Sequence, residues 1–302
     1  TATTEQPDVV VYNLVLKMWS NDRIPGFDDN YAIVRAERLM EEMREAADAG
    51  NEKIRPDLIT YTTMIQLLNK CRDFSAPEKA EDLLEELKRQ THIKPDLQIY
   101  NAVINVWARA SKRTESTQRV LELLNEMNTS DDESIRPDIY TMNTVISTIA
   151  KGRSGGTSSP HRAKAMIDSM WEKYEAGEST VKPDIITYNT LAGAWSRYGT
   201  DEAPVEATKL LKEMWQMYNQ GKMKHGPDSR TYSSVIAAWA RSNHPVAGER
   251  AEQLLSDLRA RFRASGNDGR LRPDRVLLQH VEDAKGGTSG GGGQQQRDRP
   301  RR

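Results

Sequence analysis

The dipeptide Pro-Asp recurs along this chain far more often than its composition allows. Thirteen prolines and 21 aspartates in 302 residues would form about one such pair by chance, and the chain contains seven. The spacing between successive pairs varies from 39 to 49 residues. The pairs begin at Pro7, Pro56, Pro95, Pro137, Pro183, Pro227 and Pro273. A period in this range predicts an array of stacked helical units rather than one or two compact domains.

Each of the first six pairs is followed by a pattern typical of an amphipathic helix. Apolar residues stand four, seven, eight and eleven places after the Asp, as in Tyr100, Val103, Ile104 and Trp107. This spacing places them on one helical face. The proline ends the preceding segment because it lacks an amide hydrogen, and the Asp is well placed to cap the new helix.

A second apolar pattern follows later in every unit, as in Ala80, Leu83, Leu84 and Leu87. Each unit is therefore predicted to be a helix-turn-helix hairpin, and stacking of about six hairpins would give an all-α solenoid, or superhelix, with a thin continuous core. Acidic residues concentrate on the second helices, as in MEEMREAA (40–47). A near-zero net charge of −1 is therefore compatible with a basic concave face and an acidic convex face.

The connections account for the variable period, because long inserts separate the two helices of repeats one and four. We expect the chain to be a piece of a longer protein, since it opens almost directly on a Pro-Asp pair. The predicted organisation is the end of a preceding repeat at 1–8, repeats at 9–57, 58–96, 97–138, 139–184, 185–228 and 229–274, a partial capping repeat at 275–285, and a disordered low-complexity tail at 286–302.

The repeats resemble those of the pentatricopeptide repeat family. The closest segments are KPDIITYNTLAGAW (182–195) and RPDLITYTTMIQLL (55–68), and the resemblance extends from residue 7 to about residue 284. The units here are longer than is usual for the family. The W-x-x-L-G-x-x-Y opening of the related tetratricopeptide repeats is missing. The resemblance implies a right-handed superhelix that binds single-stranded RNA, one base per repeat.

Two side chains per repeat recognise the base in this family: the fifth residue after the Asp, and the Asp that closes the same repeat. We call them the base-reading residue and the closing Asp. The predicted pairs are Asn13 with Asp57, Thr62 with Asp96, Asn101 with Asp138, Asn143 with Asp184, Asn189 with Asp228, and Ser233 with Asp274. By resemblance, Asn with Asp implies uridine, and Thr or Ser with Asp implies guanosine. The family's polarity then predicts the core target 5′-UGUUUG-3′.

Two further sets of positions are predicted to contact RNA. The second residue after each Asp sandwiches bases in the family, and these stacking positions hold Val10, Ile59, Gln98, Tyr140, Ile186 and Arg230. A basic residue stands thirteen places after the Asp in five repeats, with Lys17 as its counterpart in repeat one. The predicted phosphate-binding residues are Lys17, Lys70, Arg109, Lys151, Arg197 and Arg241. Helical geometry places them beside the base-reading residues on the same polar face.

Several alternatives remain open at this level. Each closing Asp could be a helix cap alone, and the basic residues could form an ordinary solvated face. The alternative function is a protein-binding, tetratricopeptide-like scaffold that holds a peptide in the same groove. No Walker A, HExxH, GxGxxG or GxSxG motif occurs, so we expect no enzyme activity, cofactor or metal site.

The resemblance also implies where such a protein acts. It predicts a role in organellar RNA processing, stability or translation, in a mitochondrion or plastid. Single-stranded RNA is the expected partner, together with proteins of an RNA-processing complex, and no membrane contact is expected. One cysteine, Cys71, excludes an intramolecular disulfide.

Overall fold

The computed structural model describes residues 7–21, 29–71, 73–111, 113–152 and 159–288. These residues form α-helices, short 3₁₀ turns and connections, with no strand among them. The helices are α1 (Val9–Asn21), α2 (Asp29–Asp48), α3 (Leu58–Lys70), α4 (Ala76–Arg89), α5 (Leu97–Arg109), α6 (Ser116–Thr129), α7 (Ile139–Lys151), α8 (Ser159–Glu175), α9 (Ile185–Tyr198), α10 (Ala203–Asn219), α11 (Ser229–Arg241), α12 (Ala247–Ala264) and α13 (Arg275–Thr288). The all-α helical-repeat fold predicted from the sequence is confirmed.

The helices form two compact units, residues 1–156 and 157–302. In the first unit the helices that follow Pro-Asp contact one another in succession, α1 with α3, α3 with α5, and α5 with α7. The second helices α2, α4 and α6 each contact the first helix before and the first helix after them. In the second unit α9, α11 and α13 form the equivalent row, and α10 and α12 contact this row in the same manner.

The core of each unit consists of the apolar stripes predicted from the helical spacing. Tyr61, Tyr188 and Tyr232, each directly before a base-reading residue, are fully buried. Trp107, Trp195 and Trp239 are also buried, whereas Trp19 is only half-buried. On the second helices, small residues such as Ala80 and Ala207 are fully buried and permit close helix contact. Burial of aromatic side chains of this size is a main source of stability in so thin a core.

The Asp of each Pro-Asp pair caps the helix that follows it, as predicted. Asp57, Asp138, Asp184 and Asp228 accept a hydrogen bond from the backbone N–H three residues on, where a Thr hydroxyl in turn accepts from the Asp backbone N–H. This reciprocal arrangement is a capping box. Asp96 caps α5 without the reciprocal bond, because Ile99 occupies the third position there.

The last described helix extends past one predicted boundary. Helix α13 ends at Thr288, three residues inside the segment predicted to be a disordered tail. The remaining tail residues, 289–302, lie outside the described part of the chain, as do residues 1–6 and the inserts at 22–28 and 153–158. None of the described helices is both long enough and apolar enough to cross a bilayer.

Candidate functional site

The base-reading residue of one repeat lies beside the closing Asp that caps the next first helix. In the first unit, the side-chain amide of Asn13 donates to Asp57 Oδ1 over 2.9 Å. In the second unit, Asn189 Nδ2 donates to Asp228 Oδ1 over 3.2 Å. The members of the first pair are 44 positions apart in sequence, and those of the second pair are 39 apart. The fold therefore brings together the pair of side chains that the sequence assigned to one base.

A threonine completes this contact in both repeats. Thr60 Oγ1 donates to Asn13 Oδ1 over 2.7 Å, and Thr60 N–H donates to Asp57 Oδ1 over 2.9 Å. The same bonds join Thr231 to Asn189 Oδ1 over 2.6 Å and to Asp228 Oδ1 over 2.9 Å. We call this cycle of Asn, closing Asp and Thr the amide triad. Sequence analysis identified the first two members and missed the threonine.

The third repeat retains most of the triad. Thr141 Oγ1 lies 2.6 Å from Asn101 Oδ1, and Asp138 Oδ1 accepts from Thr141 N–H over 2.7 Å. In the fourth repeat, Asn143 lies on α7 of the first unit, and Asp184 caps α9 of the second unit. Recognition of one base by Asn143 and Asp184 thus remains a prediction from the sequence.

The two base-reading residues that carry a hydroxyl, Thr62 and Ser233, have different neighbours from the asparagines. Thr62 Oγ1 donates to the carbonyl of Leu58 over 2.7 Å, one turn earlier on the same helix. Asp96 accepts from the N–H of Ile99, which is fully buried. Ser233 Oγ lies 3.4 Å from His280 Nδ1, and Asp274 accepts from Leu277 N–H over 2.8 Å. His280 is a second neighbour that sequence analysis missed, since it lies 47 residues away.

Apolar stacking positions are exposed, although most large apolar residues of this chain are buried. The exposed fractions of Val10, Ile59, Tyr140 and Ile186 lie between 53 and 60%. Gln98 and Arg230 are exposed as well. Single exposed apolar residues are common on protein surfaces. Here they recur at one position of successive repeats, which is the arrangement expected of a surface that stacks on bases.

The structure adds a seventh stacking position. Val276, the second residue after Asp274, is 58% exposed at the start of α13. Sequence analysis treated this segment only as a cap. Its position after the Asp was the available signal. If each base stacks between the stacking residues of consecutive repeats, the base of repeat six would lie between Arg230 and Val276.

Tyr140 is held in place from the neighbouring repeat. Asn105 Nδ2 donates to the Tyr140 hydroxyl over 2.8 Å. The ring nevertheless has an exposed face, since 53% of the residue is accessible to solvent. A restrained, exposed phenol ring is suited to stacking on a base because little side-chain entropy is lost on binding.

Five of the six predicted phosphate-binding residues lie at the ends of the first helices, whereas Lys17 lies within α1. Some of the six also bond to the protein. Lys70 Nζ donates to the Ser20 carbonyl, and Arg241 Nη1 donates to the Ser196 carbonyl over 2.8 Å. Both carbonyls belong to the last turn of the preceding first helix. These cations thus stabilise a helix C-terminus as well as carrying charge. Lys17, Arg109 and Lys151 are exposed.

Two of these cations influence each other. Partial burial, together with the positive charge of Arg241, lowers the pKa of Arg197 from its ordinary value. The Arg197 guanidinium remains charged at neutral pH because arginine has so high an intrinsic pKa. Two like charges held near each other create a local positive potential, which would be relieved by a phosphate.

The acidic residues of the second helices are largely engaged in ion pairs. Arg44 donates to both oxygens of Glu86 over 3.0 and 2.6 Å, which links α2 to α4. Lys88 pairs with Glu126 between α4 and α6 over 2.5 Å, and Lys164 pairs with Glu213 between α8 and α10 over 3.4 Å. Many of the carboxylates expected to form an acidic face therefore join neighbouring repeats. Among the described residues, no group of three or more His, Cys, Asp or Glu could hold a metal ion.

Comparison with known proteins agrees with this geometry. The family model described as the pentatricopeptide repeat domain matches residues 44–110 and 83–152. The same capped first helices and exposed stacking positions continue on both sides of the matched segment. Residues 44–152 of the chain therefore match the pentatricopeptide repeat domain.

Curated proteins similar to this chain come from Arabidopsis thaliana. A pentatricopeptide repeat-containing protein is 28% identical over 143 residues, which cover 47% of this chain and 22% of the relative. A chloroplastic pentatricopeptide repeat-containing protein is 24% identical over 228 residues, covering 65% of this chain and 26% of the relative. This chain therefore spans about a quarter of the length of these relatives.

The fold is also similar to a solved structure. The crystal structure of the pentatricopeptide repeat protein PPR10 in complex with an 18-nucleotide psaJ RNA element matches with a TM-score of 0.51 and 19% identity. The match covers 94% of this chain and 38% of PPR10. At this level of identity the similarity concerns the fold.

Proposed function

We propose that this protein binds single-stranded RNA, one base per repeat, through the base-reading residues and closing Asp residues of successive repeats. The observation that carries the proposal is the amide triad, in which Asn13 or Asn189 contacts the closing Asp of its own repeat, 44 or 39 residues further along the chain. An amide and a carboxylate held together at each step offer both a donor and acceptors to a base edge.

The surroundings of these pairs support RNA over a peptide. Exposed stacking residues flank the polar pairs, and exposed cations stand about two turns further along the first helices of repeats two to six, or one turn further in repeat one. Base faces, base edges and phosphates each have a matching group in this arrangement. A groove for an extended peptide has no need of all three at one spacing. The RNA complex of PPR10, which has a similar fold, is consistent with the proposal.

The finer specificity is part of the proposal. Asn with Asp selects uridine, and Thr or Ser with Asp selects guanosine, which gives 5′-UGUUUG-3′ along repeats one to six. The role assigned to the chain is binding alone, in the protection, processing or translation of an organellar transcript. The chloroplastic relatives support an organellar location, and a fluorescent fusion of the natural full-length protein would test it.

The decisive experiment is selection of bound sequences from a random single-stranded RNA pool at moderate salt, with the 302-residue chain. We expect enrichment of UGUUUG or of a sequence that differs from it at one base. Enrichment of an unrelated sequence would refute the base assignment but retain RNA binding. No enrichment, with no binding in a direct titration, would refute the proposal and favour the peptide-binding scaffold.

A further inference from the structure

The threonine of the amide triad occurs only where the base-reading residue is an asparagine. Each repeat with a base-reading asparagine has a threonine three residues after its closing Asp. The corresponding residues are Asn13 and Thr60, Asn101 and Thr141, Asn143 and Thr187, and Asn189 and Thr231. Where the base-reading residue is Thr62 or Ser233, the position three residues after the closing Asp holds Ile99 or Leu277 instead. A threonine required only for helix capping would show no dependence on the residue that it faces in the preceding repeat.

The bonds of the triad give this association a physical reason. The closing Asp holds the nitrogen of the amide, and the threonine hydroxyl holds its oxygen, over 2.9 and 2.7 Å in the triad of Asn13. Asn189 is held in the same way by Asp228 and Thr231. An amide with both ends bonded cannot rotate by half a turn without placing its oxygen against a carboxylate. The side chain therefore has one orientation.

In that orientation the amide presents a donor to a ligand. Asn189 Nδ2 donates to both oxygens of Asp228, over 3.2 and 3.4 Å. Because the two oxygens belong to one carboxylate and lie on the same side of the nitrogen, one N–H serves both of them and the other points away from Asp228. Uracil offers the carbonyl O4 as an acceptor at the place where cytosine carries an amino group, which is a donor. A fixed N–H thus matches uracil and opposes cytosine, whereas a freely rotating amide could match either pyrimidine.

We infer that the threonine at the third position after the closing Asp is a specificity-determining positioning residue, which fixes the asparagine amide so that the repeat accepts uridine and rejects cytidine. The inference rests on the proposed function. The threonine acts through the asparagine and needs no contact with RNA. Recognition of one base then depends on three residues, and the third belongs to the following repeat.

The test compares Thr231→Val and Thr231→Ser with the parent chain in selection from one random RNA pool. Valine keeps the shape of threonine and leaves the Asp228 bond to the backbone N–H, but it removes the hydroxyl. The oxygen of Asn189 then has no donor, and the amino group of cytosine can supply one. We expect cytidine to rise at one nucleotide of the selected motif, with the uridine preference there falling about three- to tenfold, the effect of one hydrogen bond.

Thr231→Ser retains a hydroxyl and should keep the uridine preference. A purely structural threonine would give a different result, in which Thr231→Val lowers the melting temperature but leaves the motif unchanged. That result would refute the inference while leaving RNA binding intact. A parent chain that selects no RNA would contradict the proposed function itself, and the inference with it.

A gain of specificity in repeat two provides an independent test. Thr62→Asn alone places an asparagine opposite Ile99, so we expect both pyrimidines to be accepted at the second nucleotide. Adding Ile99→Thr should restore rejection of cytidine by about three- to tenfold. Ile99→Thr alone is the matched control and should leave the guanosine preference in place. Equal uridine selectivity for the single and double variants would overturn the inference.

Discussion

At the scale of single residues, the closing Asp combines two contacts. Asp228 caps α11 through Oδ1 and accepts a hydrogen bond from the amide of Asn189, the base-reading residue of the repeat that Asp228 closes. The sequence predicted a helix cap, and the resemblance predicted a base-reading partner. The structure shows the cap and the contact with the asparagine amide on one carboxylate. The loss of an Asp therefore mixes a stability effect with a binding effect, and a suitable pair of variants can separate them.

We predict that Asp228→Ser and Asp228→Ala differ in stability but not in RNA recognition. Serine is a good N-cap, whereas alanine loses about 0.5–2 kcal/mol at such a position. Both variants lack the carboxylate that contacts Asn189, so both should weaken binding at the fifth nucleotide. Thermal unfolding followed by circular dichroism and RNA titration would measure the two effects. Normal affinity of Asp228→Ser would assign the carboxylate to capping alone.

At the scale of helices, each buried tyrosine connects the first helix of a repeat to its second helix. The hydroxyl of Tyr61 donates to Glu86 over 2.6 Å, and Tyr100 donates to Glu126 over 2.5 Å. Glu86 also accepts a hydrogen bond from Arg44 of the preceding repeat. One carboxylate therefore links two repeats and the core. Helical spacing predicted the burial of these tyrosines, but the hydroxyl partner could not be predicted because it lies about 25 residues away on another helix.

Replacement of Glu86 tests this link. Glu86→Ala leaves a half-buried arginine and a buried tyrosine hydroxyl without their acceptor. We expect the free energy of unfolding to fall by about 1–3 kcal/mol, in the range for hydrogen bonds to charged groups. Glu42→Ala is the control, since its pair with Arg38 is exposed and should contribute at most about 0.5 kcal/mol. Urea unfolding of both variants would measure the difference, and equal losses would contradict the assigned link.

The same tyrosines predict a loss of stability at alkaline pH. Burial and then the adjacent carboxylates raise the pKa of Tyr61, Tyr100 and Tyr232, and burial raises the pKa of Tyr188. The folded state thus binds these protons more tightly than the unfolded state. Their contribution is complete below a pH of about 10, the unfolded pKa, and falls as the pH rises above it.

Thermal unfolding between pH 8 and 11 would measure this loss. Lysines titrate in the same range, so the informative quantity is the difference between the parent and Tyr61→Phe or Tyr100→Phe. Phenylalanine cannot ionise, and each variant should therefore show a shallower decline in melting temperature above a pH of about 10. Parallel declines for the parent and both variants would show that these hydroxyls do not control alkaline unfolding.

At the scale of the whole chain, periodicity in the sequence predicted much of what the structure contains. Seven Pro-Asp pairs located the start of each first helix, because proline and a capping aspartate act locally. The stacking positions and base-reading residues were assigned by resemblance to the pentatricopeptide repeat family, and their contacts with RNA stay a prediction. Thr60, Thr231 and His280 could not be found in this way, since each contacts a residue of a preceding repeat. The ion-pair partners of the acidic residues on the second helices could not be predicted for the same reason.

The row of cations should make RNA affinity dependent on salt. Five phosphate contacts predict a slope of roughly −3.5 for the logarithm of affinity against the logarithm of salt concentration. Arg109→Gln should reduce the slope by about 0.7, since it removes one contact. Lys209→Gln on a second helix, where the lysine is exposed and pairs with Glu206, should leave the slope unchanged. A flat salt response of the parent chain would contradict phosphate binding by these residues.

The position of the amide triad across a repeat boundary has a consequence for protein engineering. A repeat that starts just after one Pro-Asp pair and ends with the next carries its asparagine and its closing Asp. The threonine, three residues after that closing Asp, is left behind. Grafts made at that junction would inherit a base preference set by the recipient. Chimaeras joined in the first turn of the first helix, after the threonine and before the next base-reading residue, would keep all three side chains together. The transferable unit is therefore offset by three residues from the unit that the sequence repeats.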